Sequence, residues 1–283
     1  WFRSNSQTGA EIGGTRVTND TVNTTPRLQY LAPHWTANKY TVKYNINCTT
    51  GGSGTMTNTS ATYDTAFDLP ENQFHRIGYT FLGWSTNANA TTADYIDGQT
   101  GVKNLATSGT LNLYAVWQAN TYTVTFSYVG VDNTSFLEMS RSVTYGQPYG
   151  SLPQPTREGY TLKGWSTDAA GTKMVTATTP VSMALNHTLY TQWQGEEVTV
   201  TLDPNDGTTQ GFPTMTAIYG STYGADLPET MTRAHYTFLG WYTAKTGGQQ
   251  VLPSTVVGNY EDHTLYAHWQ GDQVSFVYNY EKA

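Results

Sequence analysis

Eight tryptophans, six histidines and one acidic turn are the residues of this chain best suited to chemistry. An exposed indole offers a flat apolar face to a sugar ring or a cation. Imidazoles hold metals or move protons. Clustered carboxylates bind hard cations or cleave glycosidic bonds. The tryptophans fall on two positions of one pattern. Trp1, Trp84, Trp165 and Trp241 occupy the first, and Trp35, Trp117, Trp193 and Trp269 the second. A residue needed once per unit points to packing. In the second position Trp269 shares a strand face with Leu265 and Ala267. Trp35, Trp117, Trp193 and Trp269, with Leu113, Leu189 and Leu265, are therefore read as the structural core. In the first position strict alternation puts Trp165 on one face with Thr161 and Lys163, and Lys163 marks that face as partly wet. Gly164 before it is a place for a kink or a close neighbour. That position is read as packing at a unit edge, with a contact surface for a partner as the alternative. Trp84, Trp165, Trp241 and Lys163 are the candidate contact residues.

The remaining groups point away from catalysis. His34 and His268 share one repeat position, and His187 and His263 another. His263 and His268 are five residues apart, so on one strand they face opposite ways. Without Cys pairs or a His-x-x-x-His helix they match no zinc pattern. Asp203, Asn205, Asp206 and Gly207 echo a calcium loop but lack its distal Glu, and read as hairpin-turn chemistry. No nucleophile elbow, phosphate loop or dinucleotide fingerprint is present. Spacing alone leaves room for a carboxylate pair, yet no unit has an acidic constellation that the others lack. The chain is read as non-enzymatic, with no cofactor and no metal. Seven Asn-x-Ser/Thr sequons, at Asn19, Asn23, Asn47, Asn58, Asn89, Asn133 and Asn186, follow from the richness in Thr.

Composition sets the frame for the elements that carry these residues. Among 283 residues, 50 are Thr and 21 Tyr. β-Branched and aromatic side chains suit a pleated, half-buried surface. Charged residues are 12%, against about 25% in an average soluble protein. The net charge of −7 excludes a polybasic nucleic-acid binder. No run of about 18 apolar residues exists, so no membrane insertion is expected in this segment. Cys48 is alone and allows no internal disulfide. A nearly Cys-free, Thr-rich, acidic chain leans toward a bacterial surface protein.

The pattern itself is a long internal repeat. Gly78-Tyr79-Thr80-Phe81-Leu82-Gly83-Trp84 returns as Gly159-Tyr160-Thr161-Leu162-Lys163-Gly164-Trp165 and as His235-Tyr236-Thr237-Phe238-Leu239-Gly240-Trp241. A closing block ends at Trp117, Trp193 and Trp269, which are spaced by 193 − 117 = 76 and 269 − 193 = 76 residues. That period exceeds the roughly 20–50 residues of solenoid repeats, so each unit is expected to have its own core. The expected division is 1–37 as the back half of a truncated repeat, 38–118, 119–194 and 195–270 as three full repeats, and 271–283 as the first strand of a following one. Four strands are expected per unit. The first alternates strictly, as in Tyr122-Thr123-Val124-Thr125-Phe126. The Tyr-Gly to Leu-Pro stretch reads as a loop or one short helical turn. Linkers of three or four residues predict a semi-rigid string of units.

Taken together, strand one, the Tyr-Gly and Leu-Pro stretch, Arg157-Glu158-Gly159-Tyr160-Thr161, Gly-Trp and the closing Leu-Tyr-x-x-Trp resemble the Listeria–Bacteroides repeat, the internalin-type B repeat. The likeness covers nearly the whole chain. It implies a β-rich α+β fold: tandem small β-grasp (ubiquitin-like) domains, each a mixed sheet with a short helix, arranged as an elongated array. It also implies an extracellular place, at the bacterial cell surface or cell wall, and a stalk or spacer role with a part in adhesion. One alternative is a set of adhesin modules that bind a host-surface protein or glycan. Another is a filament subunit that self-assembles by strand addition, although the cut inside a unit is read first as the limit of the sequence. Neighbouring repeats of the same chain are the expected partners. Two departures touch loops: Asn45-Ile46-Asn47-Cys48 replaces an Asp-Asn-Gly-Gly-like turn, and His235 replaces the Gly before Tyr.

Overall fold

The computed structural model describes residues 2–4, 16–22, 30–131, 137–208 and 211–277. The chain divides into two compact units, Trp1–Asn120 and Thr121–Ala283. In the first, β1 (Phe2–Ser4) pairs antiparallel with β2 (Tyr30–Ala32). Then follow β3 (Lys39–Asn45), β4 (Gly52–Ser53), β5 (Thr59–Thr62), β6 (His75–Arg76), β7 (Tyr79–Ser85) and β8 (Gly109–Ala119). Their main sheet has the order β5-β3-β8-β7, with β3 and β8 parallel.

The second unit repeats this plan twice. Its first sheet is built from β9 (Thr121–Ser127), β10 (Ser140–Thr144), β11 (Tyr160–Ser166), β12 (Met174–Val175) and β13 (His187–Gly195), in the order β10-β9-β13-β11-β12. Its second is built from β14 (Glu197–Asp203), β15 (Thr214–Ile218), β16 (Tyr236–Tyr242), β17 (Gln250–Val251) and β18 (His263–Gly271), in the order β15-β14-β18-β16-β17. In both, the first strand runs parallel to the last, and every other pair is antiparallel.

Alternation explains which face is inside. Tyr40, Val42 and Tyr44 of β3 are buried, and so are Val124 and Phe126 of β9 and Val198, Val200 and Leu202 of β14. The intervening Lys43, Thr123, Thr125 and Thr199 are exposed. Each sheet thus has one apolar face and one wet face.

What covers the apolar face differs from the expectation. Among the described residues there is no α-helix, only a 3-10 turn at Gly224–Asp226. The fold is all-β, and the α+β β-grasp assignment is overturned. The local sequence gives the reason. Between β10 and β11 stand Gly146, Pro148, Gly150, Pro153 and Pro155. A helix of that length is marginal even without breakers, and proline removes its donors. The stretch pairs instead with the long loop before the last strand. Gly146 and Tyr149 donate backbone N–H groups to Val181 and Thr179, and Val181 donates to Gln147. The next repeat does the same through Gly220 to Val257, Tyr223 to Thr255 and Val257 to Ser221. In the first unit Phe67 and Val102 exchange both bonds. These two irregular segments place Tyr149 and Val181, Tyr223, Leu227 and Val257, and Leu69 and Val102 in the three cores.

The first strand of a following repeat, expected within 271–283, is not formed over 272–277, where Val274, Phe276 and Val277 are exposed; 278–283 lie outside the described residues.

Candidate functional site

The structure reverses the two tryptophan positions. Trp84, Trp165 and Trp241 are buried at 0%, 0% and 2% exposure, so they cannot be a contact surface. Lys163 alone of that set is exposed. The cause is a β-bulge. Leu162 faces Trp193 and Gly164 faces Gln192, with a register shift between them; Phe81/Gly83 and Phe238/Gly240 repeat it. The extra residue breaks the alternation, leaves Lys163 outside and turns Trp165 into the core. Gly83, Gly164 and Gly240 take φ of 137°, 134° and 121°, which only glycine adopts without strain. Glycine before each tryptophan was the available signal.

Inside, Trp165 meets Phe126 and Tyr128 edge-on and donates its indole N–H to the Pro153 carbonyl at 2.8 Å. Trp241 donates likewise to Pro228 at 2.8 Å. Trp84 is ringed by Tyr44, Phe74 and Phe81, and its buried N–H finds no partner among the described residues.

The second position divides. Trp35 is 83% exposed, so the core role expected for it is corrected. Trp1 lies outside the described residues. Trp117, Trp193 and Trp269 are half-buried, Trp117 and Trp269 packed against their cores, whereas Leu113, Leu189 and Leu265 are fully inside. The three half-buried indoles have one job. They donate to the carbonyls of Ile46, Val129 and Pro204, at 2.7, 2.8 and 2.7 Å. Each of those residues precedes a left-handed one: Asn47, Gly130 and Asn205, at φ 53°, 73° and 52°. Each closing tryptophan therefore clamps the turn that ends its repeat's first strand.

That turn absorbs the acidic cluster. The Asp203 carboxylate accepts from the Asn205 N–H at 2.8 Å and lies 3.3 Å from the Lys245 ammonium. The Asn205 amide donates to the Lys245 and Ala267 carbonyls. Asn47 makes the matching bonds to Ala88 and Ala115, so its departure from the expected turn preserves the geometry. Asp206 is held below the usual carboxylate range by the Thr208 N–H and hydroxyl. These oxygens already serve backbone donors and an ammonium.

The histidines have internal roles that the sequence reading missed. His187 Nδ1 lies 2.9 Å from the Leu185 carbonyl and Nε2 lies 2.7 Å from the Tyr149 hydroxyl. A carbonyl only accepts, so Nδ1 carries the proton and the Tyr149 hydroxyl donates to Nε2. His263 repeats this with Glu261 and Tyr223. Burial pushes both phenols above their ordinary pKa. In the first unit Phe67 and Leu111 hold the equivalent places. No group of three or more His, Cys, Asp or Glu side chains is placed to hold a metal among the described residues. An open groove of about 650 Å³ is lined by Tyr44, Ile46, Cys48, Met56 and Phe74.

Such a molecule is a tandem-repeat β protein, each of its three full repeats closed around its own buried tryptophan. The Listeria-Bacteroides repeat domain matches residues 40–116, 122–192 and 199–268, and the chain belongs to that family. Two relatives come from Evansella cellulosilytica. One, named as a Gly-rich membrane protein, is 31% identical over 85% of this chain and 26% of its own length. The other, named as a membrane protein, is 32% identical over 84% of this chain and 34% of its own. Internalin H of Listeria monocytogenes is 33% identical over 53% of this chain and 26% of its own. The chain thus spans between 26% and 34% of the length of each relative.

Proposed function

We propose that this chain is a non-catalytic stretch of a bacterial surface protein, and that its repeats extend the molecule and present what lies beyond them. One observation carries the reading. The closing indoles and the turn asparagines that could do chemistry are spent on internal bonds that recur between repeats, and among the described residues no repeat holds a constellation set apart for a reaction. The names of the relatives, an internalin and two membrane proteins, support a place at the cell surface. No helix among the described residues is long and apolar enough to cross a membrane. A binding role for the repeats would have to run through residues other than Trp84, Trp165 and Trp241.

Small-angle X-ray scattering over a concentration series tests the proposal. An elongated particle of constant monomer mass is expected. A compact particle would overturn the spacer reading, and a mass that rises with concentration would replace it with self-assembly.

A further inference from the structure

The second unit holds two repeats, and one residue, Glu196, separates β13 from β14. Glu196 is bonded on both sides. Its N–H donates to the Gly159 carbonyl of the leading repeat at 3.0 Å, and its carbonyl accepts from the Tyr219 N–H of the trailing repeat at 2.9 Å. Around it stands a circuit of side chains. The Arg157 guanidinium lies 3.7 Å from the Tyr160 ring centre. Tyr160 meets Tyr219 edge-on at 5.1 Å, and Tyr219 meets Tyr260 edge-on at 5.7 Å. The Tyr260 hydroxyl then donates to the Glu158 carboxylate at 2.5 Å. The circuit begins and ends on one turn of the leading repeat, 157–160, and passes through two tyrosines of the trailing one.

Glycine makes the approach possible. A Cβ on Gly159 would stand 2.7 Å from the Tyr219 ring and 2.9 Å from Tyr260 Cβ. A Cβ on Gly220 would stand 2.6 Å from the Tyr160 hydroxyl, and one on Gly195 would stand 1.9 Å from the Tyr219 carbonyl oxygen. The set occurs once in the sequence. Glu158 aligns with Ile77 and Ala234, Tyr260 with Ala184 and, counted back from the closing tryptophan, Ser108, and Gly159 with Gly78 and His235.

We propose that Glu158, Gly159, Tyr160, Tyr219 and Tyr260 form a docking surface whose partner is the next repeat of the same chain, and that it joins these two repeats into one stiff body. Glycine before the tyrosine of the leading repeat is the gate for this packing. A larger residue there, such as the His235 of the trailing repeat, closes the face to a following repeat. The inference does not rest on the spacer reading, because it concerns one joint whatever the array does.

Electron–electron distance measurements on the full chain test it. Cys48→Ser removes the native thiol, and spin labels go on Thr125→Cys of β9 and Thr216→Cys of β15, both exposed. The parent should give one narrow distance distribution. Tyr260 is exposed and outside the cores, so Tyr260→Ala should leave both repeats folded by circular dichroism while at least doubling the width. Gly159→Ala should do the same. Tyr260→Phe, which removes only the bond to Glu158, should widen it less. A parent distribution as broad as that of Tyr260→Ala, or a variant as narrow as the parent, would overturn the proposal.

Discussion

Trp84 and Trp165 occupy one repeat position but differ in one hydrogen bond, and this separates two energies that usually travel together. Replacing either by Phe shrinks a fully buried ring, at a cost on the order of 1–2 kcal/mol in lost burial and cavity. Trp165→Phe also strips the Pro153 carbonyl of its indole donor. An orphaned acceptor costs about 1–3 kcal/mol when buried, and the half-buried Pro153 carbonyl belongs at the low end of that range. Trp84→Phe strips nothing, because its N–H is buried and has no partner among the described residues, and losing that group relieves a similar penalty. Trp165→Phe should therefore cost its repeat at least about 2 kcal/mol more than Trp84→Phe costs the first, near thirtyfold in opening equilibrium. Several repeats in one chain break two-state behaviour, so one melting curve is the wrong assay. Hydrogen exchange read peptide by peptide resolves them. Amides of β9 and β13 should lose far more protection in Trp165→Phe than those of β3 and β8 lose in Trp84→Phe. Equal losses, or a larger loss in Trp84→Phe, would refute the reasoning that the bulge tryptophan is held by its carbonyl.

Three further outcomes follow from the same structure. His235 sits at φ 67°, so His235→Gly should stabilise the last repeat by about 1 kcal/mol; slower exchange in β16 and β18 is the check. Tyr149→Phe leaves His187 Nε2 buried without a donor and should cost about 1–3 kcal/mol, more than Tyr223→Phe, whose histidine is only half-buried; denaturation of the two variants compares them. Burial raises the phenol pKa of Tyr44, Tyr128, Tyr149 and Tyr223 above 10.0. Their folded pKa lies above the unfolded one, so their contribution is complete below pH 10 and falls as pH climbs through the raised values. Circular dichroism in denaturant from pH 8 to 12 should show stability declining only above about 10; a decline already under way at pH 8 would contradict it.

The repeat positions, the alternating first strand and the closing block were legible because each leaves a periodic mark in the sequence. The side of the sheet taken by Trp84, Trp165 and Trp241 was not, because one unpaired residue inverts every face beyond it. Gly164 carried the clue, but Lys163 beside it pointed the other way under strict alternation. The helix implied by family likeness failed locally, where Pro148, Pro153 and Pro155 favour an extended cover. The Tyr149–His187 and Tyr223–His263 pairs were invisible because their members stand 38 and 40 residues apart, joined only by how the cover folds back. The clamp of Trp193 on Val129 spans 64 residues and was hidden for the same reason.

The parallel pairing of first and last strands has a mechanical consequence. In the middle repeat the chain enters along β9 and leaves along β13, side by side and pointing the same way, with Val124 through Ser127 beside His187 through Tyr190. A pull on the two ends drags these strands past each other lengthwise. Their ladder bonds then bear the load together in shear, where a hairpin would open them one at a time. β3 with β8 and β14 with β18 share the arrangement, so tension through the chain meets the same kind of bolt three times.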